Sequence, residues 1–508
     1  MPHLFVLIGY LLFLTNAFGK TTSDLWGEEG ELWSPSGRLP DFSYAGYRFG
    51  EEPLPMPPVT ANVKDYGAKG DGITDDTASF RRAIAETKEG AILIPEGRYM
   101  LSDIIWIEKP NIVLRGEGPD ETILVFTTEL EDVKPQMRAT TTGRPTSRYS
   151  WYAGFLWVNG TINSEPISEV TSEAMMGDQT LALADVPSVK VGERVVIELT
   201  DDDEQSLVSH LYSEDPGNTS KIKNPTIIKF VSRVESVDGE SVKLERYLPF
   251  DVRSEWSPML KTYEPTVSEV GIEDLTIHFP VKPYEGHFTE RGMNGIGMNG
   301  ASDCWVRNVR IENCDSGIIL YSNFCTVDGV VFTSDREPTD GDTGHHGLRS
   351  GVDCLFQNFD FQTSFIHDLG LSYRNWGNVF KNGIGTRLSL DHHKGVTFDN
   401  LFTDLYVGSG ERVWRSGGGS DLGRHCGARG TFWGIHSDQP IPLPPNSFGP
   451  DSINIVGIDT EAASIMQPGG KWVETINSDN LYPTDLHAAQ LERRLSKKKG
   501  SDQHPVGH

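Results

Sequence analysis

Basic side chains are scarce in this chain. Against 72 Asp and Glu stand 45 Lys and Arg, a formal net charge of −27 over 508 residues. A general nucleic-acid binder needs a basic face to displace counterions from phosphates, so that class is excluded. Cysteine is scarcer still. Cys304, Cys314, Cys325, Cys354 and Cys426 are odd in number and too few for a disulfide scaffold, and no Cys-x-x-Cys pair offers a zinc site. Long apolar runs are also missing. Outside residues 4–14 nothing approaches the ~20 apolar residues that span a bilayer, so no membrane span is expected. Helical periodicity is rare, whereas 53 Gly and 30 Pro imply many turns. What remains is sufficient for a folded chain: 37% hydrophobic residues can build a core, and 10% aromatics argue against disorder.

The apolar run at residues 4–14, followed by Ala17-Phe18-Gly19, reads as a signal peptide over residues 1–19, although no Lys or Arg precedes the run. Secretion, to the extracellular space or a periplasm, is therefore expected. Asn159-Gly-Thr and Asn218-Thr-Ser match the glycosylation sequon.

From about Val270 the sequence repeats loosely every 20 to 30 residues. Asn294-Gly-Ile-Gly-Met, Ser316-Gly-Ile-Ile-Leu, His346-Gly-Leu-Arg and Leu369-Gly-Leu-Ser each lead through a polar turn to an alternating strand such as Val306-Arg-Asn-Val-Arg-Ile. That spacing is too short for a βαβ unit, and a propeller needs longer blades. It predicts an all-β fold, a right-handed parallel β-helix, in which each coil buries its apolar face only by stacking on the next. Cys304, Cys325 and Cys354 then hold equivalent positions in successive coils and form a buried sulfur ladder.

Earlier, a strand, a Gly-rich turn and a helix starting near Thr74 are predicted, with Phe80 and Ile84 on an apolar side that closes one end of the stack. The run Val63-Lys-Asp-Tyr-Gly-Ala-Lys-Gly-Asp-Gly, then Thr74-Asp-Asp-Thr and Pro95-Glu-Gly-Arg-Tyr, closely resembles the entry segment of the pectate-lyase-like superfamily of parallel β-helix proteins. The resemblance implies the fold. It leaves the chemistry open, because that superfamily includes polysaccharide lyases, glycoside hydrolases, epimerases and phage tailspikes.

The resulting organisation is a signal peptide (1–19), an N-terminal extension (20–58), the start of the β-helix with a short capping helix (59–165), an inserted β-rich module (166–266), the main coils (267–480) and a tail (481–508) that ends as a short helix with a frayed basic end. The acid run Asp201-Asp-Asp-Glu offers oxygen ligands for Ca2+ but reads first as a solvated loop. No cofactor is required by the sequence.

Unusual polar residues crowd between Gly344 and Arg429, and seven of the 14 His fall between positions 345 and 436. Coils ~4.8 Å apart would gather them into one patch. β-Elimination from a uronic-acid polymer needs a carboxylate neutralised, the acidified proton removed and the leaving oxygen protonated. Arg suits the first task, and His, Tyr or Lys the others. The candidate catalytic residues are His346, Arg349, His367, Tyr373, His392, His393, Lys394 and Arg415. Arg374, Trp376, Arg387, Asp391, Trp414 and Arg424 are candidates for binding substrate, the Trp rings by stacking on sugars. Asp391-His392-His393 also contains metal-ligand types, although adjacent His rarely converge, and no metal is assigned. Arg349 should point outward, whereas Tyr373 shares the parity of Leu371 and reads equally well as core.

The expected function is a secreted lyase acting on an anionic, uronate-containing glycan. Hydrolysis through Asp368, Asp391, Asp404 or Glu411 is the alternative. The coils have Gly344-His-His-Gly and no Asp-Asp pair, so the resemblance to polygalacturonase-type hydrolases fails at its catalytic residues. A non-catalytic carbohydrate-binding solenoid and a C5-epimerase are further alternatives. Oligomeric state is not legible.

Overall fold

A computed structural model describes residues 19–140 and 142–502. The segment read as a signal peptide lies, except for Gly19, outside the described residues. No helix among the described residues is long and apolar enough to cross a membrane.

Strands Ile105–Ile107, Leu156–Asn159, Asn294–Ser302, Ser316–Asn323, Gly344–Arg349, Phe365–Leu371 and Leu390–His392 pair in that order, all parallel, into a seven-stranded sheet. Between visits to this sheet the chain crosses another face, where Gly271–His278, Trp305–Glu312, Thr326–Thr333, Leu355–Gln357, Val379–Gly385, Leu401–Tyr406, Thr431–His436 and Asn454–Ile458 stack in parallel. These are the coils of a parallel β-helix.

Parallel register places like residues above one another. Ile105, Leu156, Ile296, Ile318, Leu348, Leu369 and Leu390 form one buried column. On the second face Phe356, Phe380, Phe402 and Phe432 stack with centroids 4.5 to 5.6 Å apart and ring planes within 9° of parallel. The positions preceding Trp305, Thr326 and Leu355, which are in register, are Cys304, Cys325 and Cys354. All five cysteines are free and buried, and burial pushes the Cys354 thiol well above its usual range. The ladder continues in amides: Asn378 Oδ1 accepts from the Cys354 N–H at 3.0 Å, and Asn378 Nδ2 donates to Asn400 Oδ1 at 2.9 Å.

One residue before each rung the backbone is left-handed. Asp303, Phe324, Asp353, Gly377, Asp399 and Arg429 have φ between 47° and 69°. Two of these corners anchor the insertion, whose strands Pro166–Glu169, Thr180–Ala182, Arg194–Thr200, Ile227–Asp238, Ser241–Leu244 and Met259–Thr262 form an antiparallel sheet. Arg194 forks onto Asp303 at 2.6 and 2.9 Å, and Arg246 forks onto Asp353 at 2.9 and 2.9 Å. The insertion's apolar core continues into the coils through Trp376, Phe398 and Leu422.

The N-terminal extension runs down the outside of the stack. Thr21–Thr22 pairs with Leu481–Tyr482, the Gly46 N–H donates to Asp353 O, that of Tyr47 to Thr326 Oγ1 and that of Arg48 to Asp303 Oδ1. Gly46 is required there, since a Cβ would lie 2.8 Å from both Leu355 Cβ and Thr326 Oγ1.

Helix Thr77–Glu86 starts three residues later than the sequence suggests. Thr74 belongs to strand Asp71–Asp75, and the Asp76 carboxylate accepts from Lys69 and Gly70 N–H, fixing the Gly-rich turn rather than capping the helix. Phe80, Ala83 and Ile84 join the main core. The tail differs from expectation, because Leu486–Asp502 is one helix whose basic residues are held. Arg494 binds Glu51 at 2.7 Å and the carbonyls of Ser43 and Phe49, and Leu486 is buried. The acid run is not simply a solvated loop. Asp201 is buried and accepts from Leu207 and Val208 N–H, and Asp202 accepts from Ser206 N–H.

Arg246 and Asp353 are both buried, so removing one leaves the other charge uncompensated. Arg246→Ala is expected to lower stability by about 3–5 kcal/mol in urea unfolding, and the double change Arg246→Met/Asp353→Asn, which keeps a residue suited to the left-handed corner, to recover part of that loss.

Candidate functional site

The outer column of the seven-stranded sheet runs Trp106, Trp157, Gly297, Ile319, Arg349, Gly370, Asp391. Trp106 and Trp157 stack at 4.4 Å at one end. Four coil spacings of ~4.8 Å separate Trp106 from Arg349, about 19 Å. Tyr152 and Tyr321, 5.7 Å apart, lie between them, and Tyr321 is 43% exposed.

Arg349 is 8% exposed. It donates to the Trp151 carbonyl at 2.6 Å and to Ser372 Oγ at 2.7 Å, and its guanidinium lies 5.0 Å over the Tyr321 ring. Among the described residues no carboxylate pairs with it. Gly370 follows in the column, buried, where an added Cβ would make ordinary contacts with the Leu348 carbonyl and the His346 ring. Tyr373 is 48% exposed, not core. Its backbone is left-handed (φ 46°), which takes it out of the strand parity shared with Leu371. Burial raises the Tyr373 phenol against the opposing pull of Arg349.

Beside this column lies a packed group of imidazoles. His345 stacks on His346 at 4.1 Å, His346 on His367 at 4.9 Å, and His287 lies 4.6 Å from His345 and 5.8 Å from His367. His345, His346 and His367 are buried, and His287 and His393 half-buried. Asp391 organises the group: one carboxylate oxygen is 3.0 Å from Nδ1 of both His367 and His393, and the other accepts from the Gly417 N–H at 2.6 Å. Gly417 closes over them so tightly that a Cβ would lie 2.2 Å from His393. Burial would raise the Asp391 carboxyl, but the two imidazoles hold it well below the usual range. Burial pushes His367 down to about 4 and His287 down to about 3, and lowers His346 well below its ordinary value, so these rings are neutral. Neutral imidazole is the metal-binding form, and one ligand atom from each of His287, His345 and His367 lies within 4.8 Å of the others; His367, Asp391 and His393 satisfy the same criterion.

The structure thus brings together His346, Arg349, His367, Tyr373, Asp391 and His393. Lys394 follows half-buried on the same loop, and burial lowers its ammonium. Arg374, beside Tyr373, is exposed with φ 66°.

Six candidates are placed otherwise. His392 points into the core, with Nδ1 2.9 Å from the Leu390 carbonyl and the ring among Phe402, Phe432 and Phe448, because it shares the inward parity of Leu390. Trp376 is 2% exposed and stacks on Phe398 beneath the insertion, so it offers no sugar platform. Trp414 packs on Phe432 and Phe448 and donates to the Pro442 carbonyl. Arg424 binds Asp215 at 2.6 Å, joining insertion to coils. Arg387 pairs with Glu411 at 3.0 Å, and Arg415 with Asp342 at 3.2 Å, so neither charge is available.

His287 and Glu290 are absent from the sequence-based set, and His345 stands in the motif without an assigned role. His287 and Glu290 belong to the connection 279–293, which has no strand alternation to place it. Glu290 accepts from Tyr284 and Ser150 hydroxyls and lies 3.5 Å from His345 Nδ1. A cavity of about 760 Å³ lies elsewhere, between the insertion and the C-terminal helix.

Residues 60–163 match the family described as Rhamnogalacturonase A/epimerase, pectate lyase-like. That match spans the first coils only, and the rest of the chain continues the same parallel β-helix architecture. The chain is 40% identical over 72 residues to Alginate lyase 7 of Azotobacter vinelandii, and 38% identical over 72 residues to Mannuronan C5-epimerase AlgE5 of the same organism. Each match covers 12% of this chain, and only 8% and 7% of those relatives. The tailspike protein gp49 of Pseudomonas phage LKA1 aligns over 78% of this chain and 66% of its own, with TM-score 0.45 and 13% identity.

Burial pushes His392 down to about 4 in the folded state, against about 6.5 unfolded. The unfolded chain therefore binds the extra proton first, and stability falls as pH drops from about 6.5 towards 4. His392→Leu is expected to flatten the stability–pH profile across that window, as measured by urea midpoints.

Proposed function

We propose that this chain is a carbohydrate-active enzyme that cleaves a uronate-containing glycan by β-elimination along the outer column of the seven-stranded sheet. The observation that carries the reading is Arg349, a nearly buried cation held by neutral oxygens and lacking a counter-ion. A buried charge of this kind is costly without an anion, and a guanidinium is shaped to grip a carboxylate. A uronate carboxylate seated there has its charge neutralised, which acidifies the adjacent C5–H.

The proton then leaves to a base as the C4–O bond breaks, and the leaving oxygen takes a proton. Tyr373, exposed beside Arg349, is assigned to the proton transfers, with His346 and Lys394 as the remaining titratable groups of this part of the column. Trp106, partly exposed and stacked on the buried Trp157, offers a sugar-stacking face several rings away on the same column. The similarity to an alginate lyase and to a mannuronan epimerase, both named for uronate polymers, supports the substrate class.

The carboxylates count against hydrolysis. Asp368 accepts from Phe365 and Ser389 and lies 3.5 Å from Arg412, Asp391 orients two imidazoles, Glu411 pairs with Arg387, and Asp404 lies on the other face in strand Leu401–Tyr406. None of these forms a free facing pair of the kind hydrolysis uses.

Incubation with alginate, pectin, ulvan and glycosaminoglycans should yield unsaturated uronate ends with ultraviolet absorbance. Arg349→Ala should lower kcat/KM at least about 100-fold, the scale of losing one charge-stabilising donor. Reducing ends without that absorbance would refute elimination.

A further inference from the structure

His287, His345 and His367 bring one ring nitrogen each close to the others. Nε2 of His287, His345 and His367 are each buried and have no hydrogen-bond partner, and one ligand atom of each residue lies within 4.8 Å of the others. Both ring nitrogens of His346 and Nδ1 of His345 likewise lack protein partners, so this packed group of neutral imidazoles is rich in lone pairs that a cation could take up.

The surroundings supply the rest of a metal centre. Asp391 at 3.0 Å from His367 Nδ1 sets that ring's tautomer, with the proton on Nδ1 and the lone pair on Nε2. Glu290 stands 3.5 Å from His345 Nδ1 without a hydrogen bond and places a negative charge beside that ring. The Asp391–His367 pair is the arrangement in which an outer carboxylate orients a ligating histidine. Asp391 is itself fixed by the Gly417 N–H and His393, so the orientation does not depend on solvent.

We propose that His287, His345 and His367 bind one divalent transition-metal ion of the Zn2+ type, with Asp391 as the orienting carboxylate and Glu290 as a nearby negative charge, both outside the coordination shell. The donor set selects the ion class. Neutral imidazoles suit Zn2+ and its neighbours, whereas Ca2+ and Mg2+ take oxygen ligands. Zn–N bonds of ~2.0–2.1 Å would draw the nitrogens to within ~3.3 Å of one another in a tetrahedral shell, which ring rotation can supply. Three protein ligands leave a fourth position for water or a substrate oxygen. The site goes beyond the proposed elimination and does not rest on it, since it follows from orphaned nitrogens rather than from Arg349.

The test uses the full chain, stripped with chelator and reloaded. Elemental analysis after desalting should find one Zn2+ per chain, and Co2+ loading should give the visible d–d absorption of a nitrogen-ligated tetrahedral ion. His287→Ala, on the half-buried connection, should abolish both while the protein stays folded by circular dichroism. Asp391→Asn should weaken Zn2+ binding about 10- to 100-fold, the usual effect of losing an outer carboxylate. His436→Ala, on the other face, should bind as the parent does. Failure of the folded parent to retain Zn2+ or Co2+, or full retention by folded His287→Ala, would overturn the site. Retention of Ca2+ alone would overturn it equally. None of these readouts depends on glycan cleavage, so the metal site and the elimination reading can fail separately.

Discussion

Everything in this chain depends on parallel, in-register hydrogen bonding between successive coils. Because each strand pairs residue for residue with those in the coils before and after it, a side chain's neighbours are fixed by its place in the coil and not by its neighbours in sequence. The inward columns turn this into a core of stacked Leu, Ile and Phe. The outward column turns it into a row of groups ~4.8 Å apart, which is how Arg349, Gly370 and Asp391 become adjacent although 21 residues separate each from the next.

The same periodicity creates the corners, and the corners recruit the rest of the molecule. A left-handed residue before each rung is cheapest for Gly, Asn or Asp, and Asp at two of these places gives the insertion's arginines something to grip. The N-terminal extension reads the same corner column from outside, making backbone contacts to Asp303 and Asp353. Insertion, extension and coils are therefore joined at shared residues. A change at Asp353 acts on all three at once.

Much of this was legible in the sequence. Gly-apolar steps spaced about one coil apart identify the solenoid, and the cysteine spacing identifies a column. The site was legible only where it follows strand alternation. His392 and His393 differ by one residue and face opposite ways, so a cluster in sequence splits into a core ring and a rim ring. Trp376, Trp414 and Arg424 fail as site residues for another reason: they meet partners contributed by the insertion or by later loops, Phe250, Pro442 and Asp215, whose positions no local pattern encodes. His287 is the converse case. It comes from a connection without periodicity, 58 residues before His345, and only the folded loop brings the two rings to 4.6 Å.

Net charge first looks hostile to an anionic substrate, and the ion pairs explain why it need not be. Several arginines of the crowded segment sit against acids: Arg387 on Glu411, Arg412 on Asp342 and Asp368, Arg415 on the same Asp342, Arg424 on Asp215 and Arg429 on Asp399. The local surface is therefore not a broad basic groove. Arg349 differs in having neutral partners only, so its field is uncancelled at short range, while exposed acids farther than ~8–10 Å are screened by salt. Under the proposed reading, an Arg349 guanidinium with no carboxylate partner, set over the Tyr321 ring, suits a uronate carboxylate better than a diffuse positive patch would. A patch attracts any polyanion, whereas one guanidinium fixed by the Trp151 carbonyl and Ser372 restricts the orientation in which a carboxylate can bind.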